Sequence, residues 1–434
     1  MTANETAFEM AAANIRFGFG VTREVGAELA NLGKQRVLVF TDPNLRALSP
    51  VTAVIESLEE NKIQFSVFDR VRVEPTDESF RQAVSAAQAA DFDAFVAVGG
   101  GSTIDTAKAA NLYTCYPADF LDYVNAPIGK GKPVPGPLKT LIAIPTTAGT
   151  GSETTGVAVF DFVERHVKTG IAHRRLKPTL GLVDPENTRT LPPAVAASAG
   201  LDVFSHAIES YTAVPFQQRP RPERPDLRPA YQGSNPVSDM WSLEALRLVA
   251  AYLKRAVADP GDNEARASML LASSYAGMGF GNAGVHLPHG MSYPVAGLIR
   301  NYRPQGYSVD HNMAPHGISV IVDAPAAYRC HVAGCSRASS EGSRNPRRQD
   351  QRRQAERCRQ DSRGQGYRAD ARSARAQRIA RTRLSTRRCS KAGGRSASAT
   401  ANHQALAPPG RRRRLRPALR RIHDDLVAAF ARVA

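Results

Sequence analysis

The stretch FDAFVAVGGGSTIDTAKAANL, residues 92–112, decides the fold. Its first seven residues form an apolar, partly aromatic run without polar alternation, which reads as a buried strand. Gly99, Gly100, Gly101 and Ser102 follow at once and open a helix. A strand that turns through glycines straight into a helix is one half of a parallel α/β unit. Glycines let a ligand approach the backbone, and the free N–H groups at the helix start bind phosphate. Ser102 and Asp105 also fit a capping box, S-x-x-D. Three glycines in a row exceed what a cap requires, so a diphosphate is the expected ligand, although the run is not G-x-G-x-x-G.

Three further short runs, 35–42 (QRVLVFTD), 63–69 (IQFSVFD) and 139–144 (KTLIAI), have strand character. Helical patterns such as VTAVIESLEENK and DESFRQAVSAAQAA lie between strands. This alternation predicts a largely parallel sheet with helices on both faces, with ligands beyond the carboxyl ends of its strands. Two such ends carry further polar residues. IPTTAGTGSE, residues 144–153, gathers Thr146, Thr147, Thr150 and Ser152 around two glycines, suited to phosphate, ribose or carboxamide groups. Asp42 either accepts a ribose hydroxyl or caps a helix begun by Pro43, the cap being the preferred reading.

From about Pro192 the chain turns helical: PAVAASAGLDVFSHAIESYTA, SDMWSLEALRLVAAYLKRAVA and EARASMLLASSYAGMGFGNAG. The first two are joined by VPFQQRPRPERPDLRPAYQGSNP, too rich in proline for a helix interior and therefore a surface loop. The organisation expected is an α/β dinucleotide-binding domain over 1–191, an all-helical metal and substrate domain over 192–329, and an Arg-rich tail over 330–434.

The formal charge of +17 over 434 residues suggests a nucleic-acid partner until it is divided. Residues 1–329 carry 30 Lys+Arg against 33 Asp+Glu, whereas 330–434 carry 27 against 7. The body thus lacks a basic surface bias, and in the tail RRRRLRP (411–417) would meet phosphates only non-specifically. Cys115 is the body's one cysteine; Cys330, Cys335, Cys358 and Cys389 lie in the tail without zinc-like pairing. Neither a disulfide framework nor a membrane span is expected, and a cytoplasmic protein is.

Metal chemistry enters with GLDVFSHAIESY, where Asp202 and His206 stand four apart and so share one helix face. The partners on offer are His286, His289, His311 and His316, of which His289 and His316 each occur as Pro-His-Gly. One Asp with three His forms an O/N set suited to Fe²⁺ or Zn²⁺ with positions left open for a substrate oxygen. Such an ion polarises an alcohol or carbonyl while hydride moves, so catalysis is metal-centred and no protein acid or base is assigned.

With GGGSTID, PTTAGTGSE, GLDVFSHAIE and two His-Gly segments in this order, the chain resembles the iron-containing, group III alcohol dehydrogenases from about residue 7 to Arg329. The resemblance implies Asp202, His206, His289 and His316 as metal ligands. It implies NAD contacts from Gly99, Gly100, Gly101, Ser102, Asp105, Thr146, Thr147 and Ser152, with Asp42 and Lys168 as further carry-overs. Within the family, GFGNAGVHLPHGMSYP, RPAYQGSNPVSDMW, VKTGIAHRRLKPTLGLVDP and VDHNMAPHGISV resemble a transhydrogenase branch. That branch oxidises 4-hydroxybutyrate while reducing 2-oxoglutarate, with bound NAD passing the hydride between them. The rival expectation is an NAD-dependent alcohol or polyol dehydrogenase of the same family. Tyr293 stands where many family members carry another histidine. Arg228, inside RPAYQGSNP, is the expected anchor for a substrate carboxylate. Small hydroxyacid and oxoacid partners, a homo-oligomer, no membrane and no specific nucleic acid complete the expectation.

After the His316 segment the resemblance stops at CHVAGCSRASSEGSRNPRRQ, where family members continue with helices. An abrupt shift to Arg, Ala, Ser, Gly and Gln is what GC-rich DNA yields out of frame. A frameshift near 329 and a disordered tail are therefore expected. Loss of those helices would expose apolar surface, so the activity is expected of the in-frame protein rather than of this polypeptide.

Overall fold

The computed structural model describes residues 3–341. The quoted run becomes β4 of the following series: β1 (Asn14–Phe17), β2 (Arg36–Phe40), β3 (Gln64–Phe68), β4 (Ala94–Gly99), β5 (Thr140–Pro145), β6 (Val157–Phe162), β7 (Val167–Ala172) and β8 (Leu180–Val183). Helices α1 (Val25–Asn31), α2 (Ser49–Glu60), α3 (Asp77–Gln88), α4 (Gly101–Cys115) and α5 (Phe120–Tyr123) lie between strands. After β8 come α6 (Pro193–Thr212), α7 (Pro236–Ala258), α8 (Asn263–Ala283), α9 (Leu287–Gly297) and α10 (His316–Glu341).

Six strands form one parallel sheet in the order β1-β8-β5-β4-β2-β3. Alternation sets its two cores, because successive side chains leave a strand on opposite faces. Val37 and Val39 of β2 join Val96, Val98, Ile142 and Ile144 against α1 and α2. Leu38 and Phe40 join Phe95, Ala97 and Leu141 against α3 and α4. Every residue of β4 is buried, which is why its sequence is apolar without a period. The four strands read from the sequence are β2 to β5. The edge strand β1, the short β8 and the antiparallel hairpin β6–β7 were not foreseen.

The strands end with β8 and the long helices begin at Pro193. Both parts lie within one compact unit, Met1–Ala327, which also contains the whole site described below; Tyr328–Ala434 forms a second unit. The proline-rich segment is an ordered loop with two short 3₁₀ turns, tied at its base by pairing of Pro215 with Ser234. No helix among the described residues is long and apolar enough to cross a membrane. The helical course of α10 continues to Glu341. The rest of the tail, with RRRRLRP, lies outside the described residues.

Candidate active site

Asp42, the Gly99–Ser102 turn and Thr146 all follow the carboxyl ends of adjacent strands, β2, β4 and β5. From the adjacent pair β2 and β4 the chain runs outward in opposite directions, from β2 to β3 on one side and from β4 to β5 on the other. This is the reversal point at which open parallel sheets leave a crevice. The glycine turn and the threonine turn interlock. A Cβ on Gly101 would lie 2.5 Å from Thr150 Cγ2, and one on Gly100 would lie 3.2 Å from Thr147. The glycines thus allow two loops to close together at the start of α4, whose N-cap is Gly100 with no side-chain cap. The capping-box alternative fails here: Ser102 Oγ instead accepts from the Glu74 amide at 3.2 Å.

A cavity of about 390 Å³ is lined by Asp42, Gly100, Gly101, Ser102, Thr146 and Thr147 and ends at Asp202 and His316. A smaller one of about 110 Å³ shares Ser102 and His316 with it and adds Asp105, Ser152, Lys168, His206, His289 and Tyr293. Asp42 is buried and caps a turn rather than a helix, its Oδ1 accepting from the amides of Asn44 (2.8 Å) and Leu45 (3.3 Å). Burial raises its pKa. Asp105 and Ser152 hydrogen-bond each other, and fully buried Lys108 donates to Ser152 (2.7 Å), Asp105 (3.2 Å) and the Val157 carbonyl (2.8 Å). Lys108 escaped the sequence reading; its place three residues after Asp105 was the available signal.

The acid and imidazoles converge where α6, α9 and α10 meet. Asp202, His206 and His289 each offer one ligand atom within 4.8 Å of the others, all three buried. His289 Nε2 lies 3.5 Å and His316 Nε2 3.8 Å from Asp202 Oδ1. Asp202 Oδ1, His206 Nδ1 and His289 Nε2 are buried atoms with no hydrogen-bond partner. Unpaired buried polar atoms are costly, and three converging ones fit a cation that would satisfy them together. Burial opposes ionisation of Asp202, but His206, His316 and His289 hold it well below the usual carboxylate range. Burial pushes His206 down to about 3 and also lowers His316, which keeps both neutral as ligands must be. His289 differs: burial is outweighed by Glu209 and Asp202, which raise it to about 10. Carboxylates that favour a proton on Nε2 equally favour a divalent cation there.

Glu209 is a second group missed from the sequence. It is fully buried, with Oε1 2.6 Å from His289 Nδ1 and Oε2 accepting from the His286 amide at 2.6 Å. Its signal was its position, seven residues after Asp202 on the same helix face. The two Pro-His-Gly segments also prove unlike. A Cβ on Gly317 would meet the Ser198 carbonyl oxygen at 2.0 Å and Asp202 Cβ at 3.0 Å, so only glycine lets α10 deliver His316 to α6. Gly290 has open space around it.

Three expected positions fall elsewhere. His286 Nε2 lies against Thr212 Oγ1 at 2.8 Å, beside the cluster rather than in it. His311 binds Asp310 in a separate hollow. Arg228 pairs with Glu5 at 3.0 Å and lines a third hollow with His173 and Lys177. It therefore does not face the metal cluster, and its assignment to the substrate carboxylate is withdrawn. Lys168 does line the second cavity but is held by Glu74 (2.6 Å) and Asp161 (3.0 Å), which overcome burial and raise its pKa.

Residues 12–185 match the iron-containing alcohol dehydrogenase family, and residues 230–302 match the C-terminal part of that family. The mitochondrial hydroxyacid-oxoacid transhydrogenase of Rattus norvegicus is 62% identical over 324 residues, covering 74% of this chain and 69% of the relative. The Homo sapiens protein of the same name is 60% identical with the same coverage. Both names are mitochondrial, which overturns the expectation of a cytoplasmic location. Among solved structures, 1,3-propanediol oxidoreductase superposes with a TM-score of 0.64 at 29% identity, covering 76% of this chain and 77% of that one. Sulfoacetaldehyde reductase from Bifidobacterium kashiwanohense, in complex with NAD⁺, gives 0.61 at 28% identity over 74% and 75%.

Proposed function

The chain belongs to the iron-containing alcohol dehydrogenase family and is an oxidoreductase, and we propose that it moves hydride through NAD from a hydroxyacid to an oxoacid. We take 4-hydroxybutyrate and 2-oxoglutarate as the pair. The observation that carries this reading is that the two cavities share Ser102 and His316 in their walls, the one lined by the glycine and threonine turns and Asp202, the other by His206 and His289. We assign the metal to Asp202, His206, His289 and His316, favouring Fe²⁺ over Zn²⁺. We assign the dinucleotide to Gly99–Ser102, Thr146 and Thr147, with Asp42, Asp105, Ser152 and Lys168 around them. Bound there, the ion would polarise the substrate oxygen and NAD would carry the hydride.

The chain's own residues supply placement. Glu209 accepts the His289 Nδ1–H and so turns Nε2 toward Asp202, fixing tautomer and ring together. Phe280 stacks on His206 at 4.0 Å between centroids, holding that ring and keeping water off one side. The amides at the start of α4 face the crevice where a diphosphate would lie.

The in-frame, metal-loaded protein, given 4-hydroxybutyrate with and without 2-oxoglutarate, tests the reading. Turnover that needs the acceptor and releases no NADH supports it. NADH release from simple alcohols, without an acceptor, supports the dehydrogenase alternative, which the likeness to 1,3-propanediol oxidoreductase favours. We retain a homo-oligomer as a proposal, to be checked by light scattering.

We further propose that the helical domain of residues 192–329 is cut short by a frameshift near 329 and that the in-frame protein carries the full activity. The identity to the relatives covers 74% of this chain, which accords with a distinct tail. An apolar-periodic helical continuation in one of the other two frames is the expected result; its absence from both ends the idea.

A further inference from the structure

A hydroxyacid or oxoacid brings a carboxylate into the site, and the donors that could receive it are few. Among the described residues lining the two cavities, Lys168 is the only lysine or arginine, and two carboxylates already hold it. Its surplus of negative neighbours makes it a poor anchor for a third. Two phenols remain. Tyr231 and Tyr293 line the second cavity together with His206, His289 and His316, and neither hydroxyl has a hydrogen-bond partner among the described residues.

Both rings are built in. The Tyr231 carbonyl accepts from Arg219 at 2.8 Å, and the next two amides, Gln232 and Gly233, donate to the carbonyls of Asn282 and Ala283. Its side chain packs over Gly284, where a Cβ would lie 2.9 Å from Tyr231 Cβ and where φ is +98°. Tyr293 follows His289 by one turn of α9, so the helix that delivers a metal ligand also delivers the second phenol. Burial raises the pKa of both, which keeps them protonated donors at neutral pH.

We propose that Tyr231 and Tyr293 form the carboxylate-binding subsite, donating from their two hydroxyls to the substrate's carboxylate beside the metal cluster. This rests on the hydroxyacid–oxoacid reading of the site. Uncharged phenols replace the arginine expected there, and hydrogen bonds to an ionised acceptor are the strong ones.

The test is calorimetric titration of the full chain, loaded with Fe²⁺ and NAD, with succinate, a dicarboxylate lacking the reacting oxygen. Y231F and Y293F are each expected to weaken succinate about tenfold, while NAD affinity and melting temperature stay at the wild-type values. Failure of the wild type to bind succinate, or equal binding by all three proteins, overturns the subsite. Weakened NAD with unchanged succinate overturns it too and gives the phenols to the cofactor. Tenfold weaker succinate in variants of a protein that oxidises simple alcohols but no hydroxyacid keeps the subsite and sinks the transhydrogenase reading instead.

Discussion

Glu209 Oε1 lies 2.6 Å from His289 Nδ1, while Glu209 Oε2 takes the amide of His286 at the N-terminus of α9. One buried carboxylate therefore both caps the helix and sets the tautomer of an imidazole in the Asp202 cluster. Only a group with two acceptor oxygens does both. In Glu209→Gln the amide nitrogen must face either the His286 amide, donor against donor, or His289 Nδ1, which then moves the proton to Nε2. Metal affinity, measured by chelator competition, is expected to fall about 10- to 100-fold. Wild-type affinity in this variant would remove Glu209 from the site.

The interlocked turns predict a sharp response at Gly101. In Gly101→Ala the new methyl would sit 2.5 Å from Thr150 Cγ2 and 2.6 Å from its Oγ1, inside van der Waals contact. The two loops must part, and the backbone cradle opens with them. NAD binding followed by fluorescence titration should weaken by at least about tenfold, equivalent to roughly 1.4 kcal/mol. The chelator-measured metal affinity should hold.

Lys168 offers a prediction with a pH signature. Lys168→Met leaves Glu74 and Asp161 without their shared cation, a loss of about 3 kcal/mol at neutral pH. Burial opposes ionisation of Glu74, but Lys168 and His316 hold its pKa below 4.5 in the folded protein. A depressed carboxylate contributes stability that is complete above its unfolded pKa and is lost as pH falls through its folded one. The gap between wild type and variant, read as urea midpoints, should therefore shrink below about pH 4.

His173 carries the opposite kind of group. Burial, with Arg175 and Arg174 nearby, pushes its pKa down to about 4, and its Nδ1 accepts from the Arg175 amide at 3.2 Å, which needs the neutral ring. A base with a depressed pKa adds stability that is whole above its unfolded pKa and is lost as pH falls toward the folded one. Between pH 7 and 5 the wild type should lose about 1 kcal/mol more than His173→Asn, allowing for the ring's partial exposure. Parallel denaturation curves at the two pH values would sink this.

Much of this protein was legible in the chain because the relevant signals are local. Strand, glycine turn and helix lie within residues 92–112, so the α/β class and the glycine turn followed from adjacent chemistry. Asp202 and His206 lie on one turn of α6, so their pairing followed from helical period alone. The edge strand β1 and its neighbour β8 were too short to carry a period, and their register is set by pairing, β1 with β8 and β8 with β5.

Sequence alone determined the fold class, the ligand types and the order in which the motifs arrive. Tertiary structure decided which groups meet. It set His286 and His311 apart from His289 and His316, moved Arg228 onto Glu5, locked Lys168 between two carboxylates, and brought Glu209 under His289. The reason is range: propensity and period act over a few residues. Contacts such as Glu209 with His289, eighty positions apart, depend on how α6, α9 and α10 pack, and the sequence near either residue does not encode that meeting.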